Sequence, residues 1–138
     1  MKKSAGYSGS PLWKKLGYAD GLRAFLIGAP ANYPKLLTLP AEIKVTWQAR
    51  ASAGMKFVHF FATEVSVLRK HLTGLRQTVA PDGVIWVSWP KKASGVATDI
   101  TEDTIRAIAL PTGLVDIKVC AVDETWSGLK LMIRKSER

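Results

Sequence analysis

The sequence predicts a three-layer α/β fold: a mostly parallel six-stranded sheet in the order 2-1-3-4-6-5, its sixth strand antiparallel, with helices on both faces. Three observations lead there. The chain has 138 residues, 47% of them hydrophobic and 22% charged, which suits one soluble domain with a single core. Residues 56–62 and 84–89 are nearly continuous apolar runs of strand length, the pattern of strands buried on both faces of a parallel sheet. Such runs alternate with helical segments as strand, helix, strand, strand, helix, strand, helix and hairpin, the signature of helix-covered parallel strands joined by right-handed crossovers. A reversal of winding after the second strand produces the stated order.

The elements follow in turn. Residues 1–11 are rich in small and turn-forming types, so 1–21 are expected to be an N-terminal arm with a short helix, and 22–138 the α/β domain. Ser10-Pro11 reads as the start of a helix over 11–16 that stops at Gly17. Residues 23–27 form the first strand, broken at Gly28-Ala29-Pro30, and a brief helix over 31–37 follows. In 42–48, apolar Ile43, Val45 and Trp47 alternate with polar residues, as in an edge strand with one wet face. Residues 56–62 are the third strand. Thr63 then caps a helix in which Val65, Leu68, Leu72, Leu75 and Val79 recur at spacings of three and four. Pro81-Asp82-Gly83 ends that helix by turn chemistry, and 84–89 form the fourth strand. After the loop 90–95, Thr101 caps a helix to about residue 110, with Glu102 and Asp103 placed well against its dipole. Strands 115–122 and 128–134 close the chain as a hairpin with a five-residue connection.

Lys and Arg number 20 and Asp and Glu 11, a net charge of +9. This balance attracts anions: a phosphorylated or carboxylated small molecule, an acidic protein or nucleic acid. Non-specific nucleic-acid binding needs the basic residues on one face, whereas Lys14 and Lys15, Arg69 and Lys70, and Lys130, Arg134 and Lys135 are dispersed along the chain. No apolar run approaches the ~18 residues of a membrane span, and the first residues lack a signal-peptide core, so a cytoplasmic protein with no membrane partner is expected. Cys120 is the only cysteine and His59 and His71 the only histidines. There is accordingly no intramolecular disulfide and no metal-ligand spacing.

In open α/β sheets ligands bind at the carboxyl ends of the strands, beside the reversal of winding. The segments expected there are the turn with Gly28 and Asn32, the loop with Lys91, Lys92, Ser94 and Gly95, and the hairpin with Asp123, Trp126 and Ser127. Two ammonium groups, a hydroxyl and a glycine-bounded backbone suit a phosphate or carboxylate. The alternative for that loop is a solvated basic turn. Asp123 and Asp99 are the candidate acid–base residues; the competing readings make Asp123 a turn builder with Trp126 covering the sheet end, and Asp99 a helix-start residue. His59 is expected as a hydrogen-bonded core residue, His71 as solvated, and Cys120 as an unreactive buried thiol. The favoured function is a binding module for an anionic small molecule or acidic partner at this edge. The alternatives are an enzyme of unassigned type and non-specific nucleic-acid binding.

From Leu22 to Arg134 the order of elements, Rossmann-like with a terminal hairpin, resembles a shortened class I methyltransferase. That resemblance implies a Gly-rich turn after strand 1 that receives the methyl donor, and an acidic residue ending strand 2 that grips its ribose. Here the turn reads Gly28-Ala29-Pro30-Ala31-Asn32 and strand 2 ends in Gln48-Ala49-Arg50, so S-adenosylmethionine is not expected and no cofactor is assigned. The stretches Gly6-Tyr-Ser-Gly-Ser-Pro-Leu12, Trp89-Pro-Lys-Lys-Ala-Ser-Gly95 with Thr98-Asp99, and 113–129, including Val119-Cys-Ala-Val-Asp-Glu-Thr-Trp-Ser-Gly128, resemble a family of small bacterial proteins defined only as a domain of unknown function. This second resemblance implies a bacterial cytoplasmic protein and carries over no catalytic residue.

Overall fold

The structure, a computed structural model, describes residues 10–138; most of the expected N-terminal arm, including Gly6 to Gly9, lies outside the described residues. The elements are α1 (Leu12–Leu16), β1 (Arg23–Ile27), α2 (Tyr33–Leu37), β2 (Thr46–Gln48), β3 (Met55–Phe61), α3 (Val65–Thr78), β4 (Val79–Pro90), α4 (Glu102–Ala109), β5 (Leu114–Ala121) and β6 (Trp126–Ile133). They build one six-stranded sheet in the order β2-β1-β3-β4-β6-β5. The first four strands pair in parallel, and β6 runs antiparallel to both β4 and β5. The predicted order and the reversed strand are both as observed. No helix among the described residues is long and apolar enough to cross a membrane.

Alternate residues of the central strands feed two cores. On one face Val58, Phe60, Ile85, Val87, Leu129 and Leu131 pack with Leu68 and Leu72 of α3 and Ile105 of α4. On the other, Phe57, Phe61 and Trp86 pack with Leu12 and Leu16 of α1 and Tyr33 and Leu37 of α2. Trp86, fully buried, donates its indole N–H to the Leu16 carbonyl at 2.8 Å, which seats α1 on β4.

Four boundaries differ from the expectation. Residues 81–83 do not end a helix; they lie inside β4, which begins at Val79 directly after α3. Ala80 precedes a proline and is steered out of the helical region, and Val79 pairs with Met55 before the ladder shifts and resumes at Phe57 opposite Val84. Pro81-Asp82-Gly83 therefore forms an irregularity within a strand, pinned by an ion pair from Lys56 to Asp82 at 2.8 Å. A Cβ on Gly83 would stand 2.7 Å from the Met55 carbonyl oxygen, so only glycine fits there. The edge strand β2 spans three residues, because Lys44 is tied to the turn before β1: its carbonyl accepts the Gly21 N–H, and its N–H donates to Asp20 Oδ1, both at 2.7 Å. Helix α2 starts at Tyr33, two residues later than expected. Trp126 and Ser127 belong to β6 and pair with Pro90 and Trp89, which shortens the hairpin connection.

Candidate functional site

The carboxyl edge of the sheet is built by four chain segments. Gly28 ends β1 with φ +68°, and a Cβ there would meet the Phe61 carbonyl oxygen at 2.8 Å, so the ends of β1 and β3 are in direct backbone contact. The Phe61 ring then meets Tyr33 and Trp126 edge-on, at centroid distances of 5.5 and 5.0 Å. Lys91 donates its N–H to the Thr125 carbonyl at 2.7 Å, joining the 90–95 loop to the β5–β6 hairpin. Segments far apart in sequence thus meet at one edge, linked through Phe61 and Trp126.

Within the loop, Lys92–Ser94 form one 3-10 turn closed by Gly95 at φ +77°. Ser94 Oγ donates to the Lys91 carbonyl at 2.7 Å and accepts the Val96 N–H at 3.2 Å, so the hydroxyl shapes the loop. Lys91 is half-buried and Lys92 exposed, and neither forms an ion pair among the described residues. Lys92, Trp89, Thr98 and Glu102 line part of a cavity of about 390 Å³ beside α4. Asn32 is exposed at the start of α2, and its side chain makes no capping bond.

Both candidate carboxylates hold backbone. Asp123 Oδ1 accepts the N–H groups of Thr125 at 2.9 Å and Trp126 at 2.7 Å, an Asx-type turn that fixes the hairpin. Asp99 Oδ1 accepts the Val65 N–H at 2.8 Å, so it caps α3 across the fold and not the helix that follows it in sequence. The adjacent Thr98 hydroxyl donates to the Thr63 carbonyl at 2.6 Å, locking the same corner. Helix α4 is capped by Thr101, as expected, through the Thr104 N–H.

Sequence reading placed His59 in the core but missed the chain of polar groups it anchors. Tyr18 and Tyr33 hydroxyls bond at 2.7 Å, Tyr33 Oη reaches His59 Nδ1 at 2.7 Å, and His59 Nε2 reaches Ser88 Oγ at 2.7 Å. His59 and Ser88 are fully buried. Burial lowers the His59 pKa to about 3, so the imidazole is neutral and satisfied on both nitrogens. Burial likewise pushes both tyrosines above their ordinary range. No sequence motif announces this network, since its members are 15, 26 and 29 residues apart. Cys120 is buried as expected, and burial raises its thiol pKa. His71 is half-buried on α3, 5.2 Å from the Phe60 ring. No group of three or more metal-ligating side chains occurs among the described residues.

No family model matches the chain, and no curated protein matches it; the resemblance to a bacterial family carried by its motifs is not shown by these comparisons. Solved structures do match in fold. A SAM dependent methyltransferase from Aquifex aeolicus superposes with a TM-score of 0.64 at 15% identity, covering 87% of this chain and 86% of that one. The ribosomal protein L11 methylase from Lactobacillus delbrueckii subsp. bulgaricus gives 0.57 at 10%, over 89% and 75%. Magnesium protoporphyrin IX methyltransferase from Synechocystis, a structure with bound SAM, gives 0.55 at 11%, over 88% and 74%. The residues at the edge do not fit the methyl donor as the sequence resemblance would have it held. The turn after β1 holds a single glycine, Gly28, followed by Ala29-Pro30, and β2 ends in Gln48, an amide and not a carboxylate, which donates to the Arg50 carbonyl and Ser52 Oγ. What the comparisons show at these identities is the fold: the chain has the Rossmann-like fold of the methyltransferases.

Proposed function

We propose that this chain is an enzyme on a methyltransferase-type scaffold that takes an anionic small molecule at the carboxyl edge of its sheet, with Lys91 and Lys92 as the cationic groups that hold it. The observation that supports this most is the bond from the Lys91 N–H to Thr125, which sets the lysine loop against Trp126 and Ser127 at the edge where this fold class takes its ligands. The structural neighbours, named as methyltransferases, favour catalysis there. The neighbours' donor is not carried over, given Gly28 and Gln48. One observation favours a non-catalytic binding module as the second reading: Asp123 and Asp99 each hold backbone N–H groups.

A thermal-shift and calorimetric panel of phosphorylated metabolites, nucleotides, S-adenosylmethionine and S-adenosylhomocysteine tests the reading. A true ligand at 100 times its Kd stabilises the folded state by about 2.7 kcal/mol, and a Lys91→Ala, Lys92→Ala double variant should lose that gain. No stabilising anion, or an unchanged gain in the double variant, sinks the proposal. Turnover of the bound compound that Asp123→Asn abolishes at an unchanged melting temperature supports the enzyme; binding without turnover leaves the binding module.

A further inference from the structure

Packing of Leu12 and Leu16 into the second core carries α1 across the sheet, so that Lys14 and Lys15 stand over β5. With Ser10, Lys118 and Val119 they line an open cavity of about 440 Å³, within the ~300–1,000 Å³ typical of small-molecule sites. No carboxylate is among its lining residues within the described part of the chain. On the neighbouring strand, Lys130 stands directly opposite Lys118 in the antiparallel ladder. Both point to the α1 face, two residues from Cys120 and Gly128, which lie on that side.

Directly opposed like charges repel. Four cations have carboxylate partners: Arg106 meets Glu102, Asp103 and Asp116, Arg76 and Arg134 share Glu137, and Lys56 meets Asp82. Lys14, Lys118 and Lys130 form no such pair among the described residues. Burial and the Lys118 charge hold Lys130 below the usual lysine range. A multiply charged anion entering here would relieve this repulsion, and lysine serves such a ligand as a mobile point charge. A cavity of this size suits a compact ligand, whereas a polynucleotide needs a continuous basic stripe.

We propose that the cavity between α1 and β5 is a second binding site, for a small molecule carrying two or more phosphate groups, held by Lys14, Lys15 and Lys118 of its lining, with Lys130 beside Lys118 adding positive charge and Ser10 a hydroxyl. It is independent of the Lys91–Lys92 edge. The test is calorimetric titration of the full chain with inorganic pyrophosphate and tripolyphosphate at low salt. Lys118→Gln should weaken binding about tenfold or more, while its melting temperature stays level or rises because a repulsion is removed. Lys118→Arg should retain binding, and the Lys91→Ala, Lys92→Ala variant should bind as the wild type does. Absence of binding at millimolar probe, equal affinity in Lys118→Gln, or loss of binding with Lys91 and Lys92 overturns the proposal. So does an affinity for single-stranded oligonucleotides that exceeds that for tripolyphosphate and grows with their length.

Discussion

Lowering the pH from 7 to 5 should destabilise the protein by about 2 kcal/mol through His59 alone. The imidazole titrates near 6.5 in an unfolded chain and at about 3 in the folded one, where burial excludes its charged form. Between those values the unfolded state binds a proton that the folded state refuses, so stability is complete above 6.5 and falls by about 1.4 kcal/mol per pH unit below it. Down to pH 3 the loss reaches about 4 kcal/mol, a large share of the ~5–15 kcal/mol that holds most domains folded. Asp82 and Asp116, held below the ordinary carboxylate range by Lys56 and Arg106, contribute in a lower window. Their stabilisation is present above the unfolded carboxylate value and lost as pH falls beneath it, so it does not overlap the interval from 7 to 5. Urea unfolding at pH 7, 6 and 5, followed by tryptophan fluorescence, measures the slope. A His59→Gln variant retains a donor and an acceptor for Tyr33 and Ser88, and should be weaker at pH 7 yet nearly flat to pH 5. A flat wild-type profile, or an equal slope in the variant, would refute the reasoning.

Two further substitutions probe the frame around the site. Asp99→Ala should lower stability by about 1 kcal/mol by removing the acceptor for the Val65 N–H, and Asp99→Asn should recover most of it in chemical denaturation. A catalytic Asp99 would behave oppositely, with the asparagine variant stable and inactive. Gly83→Ala pushes a methyl group to 2.7 Å from the Met55 oxygen and 3.0 Å from that of Ala80, both backbone. A loss of roughly 1–3 kcal/mol is expected, and an unchanged melting temperature would show that this part of β4 is looser than its contacts indicate.

The sheet order could be read from the sequence because buried parallel strands must be apolar on both faces, and 57–61 and 84–89 have that composition. The start of β4 could not. Proline, aspartate and glycine in succession serve a chain reversal and an in-strand irregularity equally well. What separates the two is the pairing of Val79 with Met55, 24 positions away in the chain, which no local signal encodes. The same limit hid the role of Asp99: its place four residues after Gly95 suggests the next helix, yet its oxygen caps α3. Turn chemistry at Asp123 was legible because both of its partners, Thr125 and Trp126, are local.

Charge shows why the lysine cavity escaped sequence reading. Asp116 opposes Leu131, but the next opposed pair is Lys118 with Lys130, so one extra residue at Ile117 enters β5. In a regular strand Lys118 would share the face of Leu114 and Asp116, toward α4, where Asp116 already pairs with Arg106 at 2.9 Å. The inserted residue reverses the alternation, turning Lys118 to the side of Cys120, α1 and Lys14. It leaves Ile117 47% exposed, a strand position with a large apolar side chain in solvent and nothing in its local sequence to mark it. An irregularity that exposes an isoleucine and opposes two lysines opposes folding on both counts. An anion bound between the lysines offsets the second of these, so the bulge at Ile117 and the cavity beside α1 are parts of one arrangement.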